Sequence, residues 1–192
     1  MVTYVAFLRA INVGGQKLIK MEALRGALKR LGFKNVRTYI QSGNVIFDSA
    51  SVNSPALTRK IEKKLKEVFG HEVTVMLRKL SELETLVKRN PFKKIKPDTG
   101  AMLFVVFISE EPEKKPAVPL VSTTENLEVF EIKDRTAFVV SRRKKNGWFG
   151  FPNAFVEKQL GVPGTTRNWN TVNKIVQFAE IVDGKLAKRK KK

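Results

Sequence analysis

The sequence predicts an α+β protein in two parts, and three observations carry that expectation. Short apolar runs bounded by turn residues alternate with stretches whose apolar residues recur at helical spacing. The first 78 residues read in the order β-α-β-β-α-β. The remainder has the same strand, hairpin and helix logic without a sequence repeat, and no linker longer than the proline-bearing stretch 112–119 divides the two. A length of 192 residues suits one large domain or two small ones joined together.

Residues 3–8 (TYVAFL) are apolar, aromatic and β-branched, the pattern of a buried strand. It stops at Arg9 and a loop ending in Gly14-Gly15. Met21, Leu24, Ala27, Leu28 and Leu31 then recur at helical spacing, and Gly32 closes that helix. Residues 36–40 and 44–47 read as two strands joined near Ser42-Gly43. Ser54 as N-cap and Pro55 at the first helical position open the next helix. Leu57, Ile61, Leu65 and Val68 form its apolar stripe, Gly70 ends it, and residues 72–77 form a fourth strand. That order is the ferredoxin-like split unit, an antiparallel four-stranded sheet carrying two helices on one face. The expected first part is residues 1–80.

The expected second, smaller α+β part is residues 81–184, packed against the first in one body. Ser81-Glu82-Leu83-Glu84 reads as a capping box opening a short helix. Residues 102–108 form a strand. Residues 127–132 and 136–140 form a hairpin through Lys133-Asp134-Arg135. Residues 152–160 form a helix ended by Gly161. A last helix covers residues 170–181, with Val172, Ile175, Val176 and Ala179 inward.

Residues 185–192 read as a basic, disordered tail with six positive charges and no negative one. The whole chain holds 37 Lys and Arg against 18 Asp and Glu, a net charge of +19. Without the tail +13 remains, so the excess belongs to the body. It concentrates in residues 59–96 and in Arg142-Arg143-Lys144-Lys145, which runs directly into Asn146-Gly147-Trp148-Phe149-Gly150-Phe151. A Lys-rich solvated surface and a polyanion-binding surface both account for such clustering.

The absence of cysteine excludes disulfides, thiolate metal sites and a cysteine nucleophile. The single histidine, His71, follows Gly70 at a helix-to-strand turn and reads as a surface turn residue. No carboxylate pair has divalent-metal spacing, so neither a metal nor a cofactor is expected, and no catalytic residue is assigned. No apolar run is long enough to span a membrane. The N-terminus lacks a signal-peptide pattern, and the expected location is the cytoplasm.

Three blocks carry more than their secondary structure. In the first, Arg9, Asn12, Gly14, Gly15 and Lys20 surround a strand-to-helix connection whose helix start has no Ser, Thr, Asp or Asn, leaving amides for an anion. A tight connector with surface lysines explains the same residues. In the second, Gln41, Ser42 and Asn44 are hydrogen-bonders around a Ser-Gly-Asn turn, itself a common hairpin or bulge. In the third, Thr166, Arg167 and Asn168 precede the last helix, where Arg167 suits a phosphate or carboxylate. Capping by Asn168 or Asn170 with Trp169 packed as a staple explains that block equally.

Taken together, the blocks resemble the uncharacterised family known as domain of unknown function 1697. Its members carry an LRAINVGG-like opening, a G-F-x-N-V-x-T-Y-I-x-S-G-N-V hairpin and a T-x-R-N-W-N-T-V end. Residues 8–15 and 32–45 match the first two in turn, and residues 166–172 contain the R-N-W-N-T-V of the third. The resemblance implies a two-part α+β fold with a ferredoxin-like N-terminal half and implies no established activity. Many members have a Ser-Lys pair before the penultimate helix, where this chain has Phe151-Pro152-Asn153-Ala154.

Two functions are expected from different classes, and a third is blander. A nucleic-acid or polyanion binder would use Arg142, Arg143, Lys144, Lys145 and Trp148, with Tyr4, Phe7, Tyr39 and Phe47 as further stacking groups on the first sheet. An enzyme or binding protein for a small phosphorylated or carboxylated metabolite would use the three blocks. A protein-interaction module would use a sheet edge or the Lys-rich face.

Overall fold

The computed structural model describes residues 1–12, 18–95 and 100–182. It groups into two compact units. One is Met1–Thr85 with the stretch beginning at Asn173, and the other is Leu86–Val172. The expected division at residue 80, with everything to 184 in the second part, is therefore displaced at both ends. The reason is that the chain changes unit inside helices: α3 (Leu80–Arg89) and α5 (Trp169–Val182) each run across a boundary. No composition shift marks a boundary that falls within a helix.

The first unit contains β1 (Val2–Leu8), α1 (Met21–Arg30), β2 (Lys34–Tyr39), β3 (Asn44–Ser49), α2 (Ser54–Phe69) and β4 (Val75–Lys79). Its sheet has the order β2-β3-β1-β4 with every neighbour antiparallel. On one face Tyr4, Ala6 and Leu8 join Val45, Phe47, Val75 and Leu77 against Leu24, Ala27 and Leu28 of α1 and Leu57, Ile61 and Leu65 of α2. On the other, Val5, Phe7, Ile46 and Met76 are also buried. Burial on both faces is why residues 3–8 read as a continuous apolar run instead of an alternating one.

Three local expectations shift by one to three residues. The N-cap of α2 is Asn53, whose side chain accepts from the Ala56 amide at 3.0 Å, so Ser54 is the first helical residue. β4 begins at Val75, where pairing with Leu8 of β1 begins, and leaves Glu72 in the preceding segment. α3 starts at Leu80 directly after β4. Its Glu82 carboxylate accepts from the Lys79 amide at 3.1 Å, so the glutamate half of a capping box operates two residues earlier than expected, without Ser81.

The second unit contains β5 (Ala101–Ile108), β6 (Leu120–Ser122), β7 (Leu127–Lys133), β8 (Thr136–Arg142), α4 (Asn153–Leu160) and β9 (Gly164–Asn168). The antiparallel order is β6-β7-β8-β5-β9. Phe104, Val106, Ile108, Val129 and Val139 pack with Val156 and Leu160 of α4. The β7–β8 hairpin turns through Asp134 and Arg135, both left-handed at φ 51° and 53°, as a two-residue turn of the primed type requires. Two strands carry no sequence signal: β6 has three residues, and β9 has no apolar residue among GTTRN. β9 is a strand because β5 offers it a hydrogen-bonding edge over residues 104–108.

Candidate functional site

The first two blocks meet at one end of the first sheet. Asn12, left-handed at φ 55°, turns its side chain across the connection. Its Oδ1 accepts from the Ile19 amide at 2.7 Å, and its Nδ2 donates to the Ile19 carbonyl at 3.1 Å and the Gln41 carbonyl at 2.8 Å. One amide group thus closes the connection between β1 and α1 and ties it to the β2–β3 turn. Gly14 and Gly15 lie outside the described residues, as does Lys17. The turn is anchored again where the Leu8 amide donates to the Gly43 carbonyl at 2.9 Å.

Asn44 has a similar architectural role. It is fully buried, and its Nδ2 donates to the Tyr39 carbonyl at 3.1 Å and to Ser42 Oγ at 2.9 Å. Gln41 and Ser42 are exposed at the rim of this end, as is Lys20, while Arg9 is half-buried. Lys20 is the N-cap of α1 and supplies no side-chain cap. Ile40 is left-handed at φ 52°, which is strained for a β-branched residue, and is more than half exposed. Asn12→Ala should lower unfolding free energy by about 1–2 kcal/mol, since it leaves partners in two segments without their bonds. Urea unfolding measures it, and an unchanged midpoint would remove the clasp role.

The third block belongs to the other unit. It forms the strand β9 and leads directly into α5. Arg167 is buried, opposite Val105 of β5, and its Nη1 donates to Thr165 Oγ1 and the Thr166 carbonyl at 2.8 Å each. Burial pushes its guanidinium down to about 10, so it remains charged at neutral pH. Thr166 is also buried, donating to Asn153 Oδ1 at 3.1 Å. Asn168 Oδ1 accepts from the Asn170 amide at 2.9 Å, the capping alternative, and Trp169 lies 5.2 Å from the Phe92 ring.

The basic segment after β8 forms a pinned turn. Arg143 bridges Phe149 across it, the Lys144 amide donates to the Trp148 carbonyl at 2.8 Å, and the Gly147 amide to the Lys144 carbonyl at 2.9 Å. The Trp148 amide donates to Asn146 Oδ1 at 3.1 Å. At the base, Ser141 Oγ donates to the Gly150 carbonyl at 2.9 Å. A Cβ on Gly150 would sit 2.0 Å from the Glu125 carbonyl oxygen, so only glycine fits there. On this frame the Trp148 side chain is 75% exposed and Phe151 60%.

The four cations of that segment are not equivalent. Arg142 lies 3.7 Å from Glu128 and Lys144 3.3 Å from Glu125. The Arg143 guanidinium lies 4.9 Å from the Phe149 ring centroid and donates to the Gly147 carbonyl. Lys145 is exposed. Partly exposed ion pairs of this kind are weak and exchange readily for a phosphate.

The aromatic residues on the first sheet do not join this surface. Tyr4, Phe7 and Phe47 are fully buried, and Phe47 stacks on Phe33 at 4.4 Å, so none presents a face to a base. Tyr39 is half-buried, 5.6 Å from Phe178 of α5. Sequence reasoning also missed the pairing of Arg89 with Glu131 beneath the Phe138 ring. It missed Glu62, which accepts from the Val75 amide at 2.9 Å. Each partner lies more than ten residues away, so no local pattern signals it.

A family model described as a protein of unknown function (DUF1697) matches residues 1–138. No curated protein matches. Among solved structures the chain is similar to a conserved bacterial protein from Streptococcus pneumoniae, with 23% identity and a TM-score of 0.63 over 92% of this chain and 97% of that one. A likeness at that identity speaks for the mixed α and β fold and leaves activity open. Among the described residues, no helix is long and apolar enough to cross a membrane.

Proposed function

The chain belongs to the DUF1697 family, whose members have no assigned function, so its activity must be argued from its own surface, and we propose that the turn after β8 binds single-stranded nucleic acid. The observation that carries this reading is Trp148, 75% exposed on a turn held by its own backbone bonds. An exposed indole gains nothing from the core, and a rigid frame lowers the ordering cost of stacking a base on it. Phe151 offers a second exposed ring, and Arg142, Arg143 and Lys145 supply cations for the backbone. Stacking with nearby charge is the usual logic of sequence-tolerant single-strand binding.

The test uses the full chain with short oligodeoxythymidylate and oligouridylate. Stacking should quench Trp148 fluorescence. Trp148→Ala should weaken affinity about 5- to 150-fold, the span of one stacked base. Three phosphate contacts predict a log–log salt slope of about −2. Deleting residues 185–192 should leave the Trp148 dependence in place. Unchanged affinity in Trp148→Ala, or binding that disappears with the tail, overturns the reading.

A further inference from the structure

A second charged feature lies in the first unit, on the side of α2 that faces the segment before β4. Arg59, Glu62, Lys63 and Lys66 line a cleft of about 420 Å³ whose opposite wall includes Glu72 and Thr74. That volume is within the range of small-molecule sites. Two contacts run along the lining. Glu62 Oε1 accepts from the Val75 amide at 2.9 Å, which holds the carboxylate against the start of β4. Lys66 pairs with Glu72 at 2.9 Å across exposed side chains. Arg59 and Lys63, one helical turn apart, supply the remaining positive charge.

Glu62 distinguishes this cleft from an ordinary Lys-rich helix face. Its carboxyl is held above the usual range by burial first and then by the charge of Glu72, against the lowering effect of the Val75 amide. A carboxylate in that position accepts a hydrogen bond readily and opposes a bare anion. The rim cations do the reverse. A ligand that satisfies both carries an anionic group for Arg59 and Lys63 and a hydroxyl for Glu62.

We infer that the cleft between α2 and the segment before β4 binds a small phosphorylated polyol, its phosphate on Arg59 and Lys63 and a hydroxyl on Glu62. Arg59 offers the planar fork that suits a phosphate, and Lys63 adds a point charge beside it. Thr74 also lines the opposite wall. This site is independent of Trp148, and either can fail without the other.

The test titrates isotope-labelled full-length protein with glycerol 3-phosphate, inorganic phosphate and glycerol, following backbone amides by NMR. Glycerol 3-phosphate should give saturable shifts in α2 and residues 72–75 and bind about tenfold tighter than phosphate. Arg59→Ala with Lys63→Ala should weaken it about tenfold or more, whereas removing two charges from α1, as Lys29→Ala with Arg30→Ala, should not. Glu62→Gln keeps an acceptor for the Val75 amide and removes the charge opposing phosphate. It should bind inorganic phosphate as well as or better than the parent and so narrow the preference for glycerol 3-phosphate. Shifts that do not saturate, equal response to the α1 charge removal, or a preference undiminished in Glu62→Gln would each overturn the inference.

Discussion

Replacing Gly43 with alanine is expected to cost about 3 kcal/mol of unfolding free energy, from a left-handed backbone and a crowded core acting together. Gly43 has φ +73°, which a Cβ disfavours by about 1 kcal/mol. The added Cβ would lie 2.7 Å from Ile11 Cδ1 and 2.9 Å from Leu8 Cβ. Ile11 is 2% exposed and Leu8 1% exposed, so neither moves aside freely. Overpacking of this kind adds about 1–3 kcal/mol. Urea midpoints of the parent and Gly43→Ala measure the sum, and a loss under about 1 kcal/mol would show that the turn relaxes. Ile11→Val removes the nearest methyl, so it should cost less in the alanine background than in the parent.

Asn44→Asp is expected to cost more, and to do so with a pH dependence that Asn44→Ala lacks. Asn44 is fully buried and donates to the Tyr39 carbonyl and Ser42 Oγ. A carboxylate there would replace a donor with a charge facing a carbonyl oxygen. Burial raises the folded-state pKa of such a group by about 3 units, equivalent to about 4 kcal/mol. The sign follows from linkage. The folded variant holds its proton after the unfolded chain has released it, so stability falls as pH rises from about 4 toward 7. Unfolding of Asn44→Asp at pH 4 and pH 7, referred to the parent, measures the difference. A deficit equal at both values would place the carboxyl in water.

Both substitutions fall in motifs that read from the sequence as a ligand-binding pattern. Gly43 fits a close approach to Ile11, Asn44 stitches its own turn, and Asn12 clasps Ile19 and Gln41. Family signatures and architectural necessity are hard to separate in one sequence, because Gly and Asn serve left-handed turns and ligands alike. The third block differs, because its conformation depends on a distant strand. Its polar run carries no strand pattern, yet pairing with β5 makes it a strand and buries Arg167. The Arg142 to Trp148 segment was legible in outline from charge and aromatic composition. Its backbone bracing was not, since that depends on Gly150 lying against the Glu125 carbonyl.

The strands at residues 2–8 and 101–108 and the helices containing Leu24, Leu57 and Val156 follow from local periodicity alone, because each must bury an apolar face or stripe wherever it is placed. Helix ends at Gly32, Gly70 and Gly161 follow from backbone conformation in the same way. Tertiary structure alone decided that Tyr4, Phe7 and Phe47 are core while Trp148 is exposed. It also decided that Glu62 reaches the Val75 amide, and that the chain changes unit within α3 and α5. The physical difference is range. Periodicity and capping are properties of a few consecutive residues, whereas burial, strand pairing and the environment of a charge depend on segments that only folding brings together.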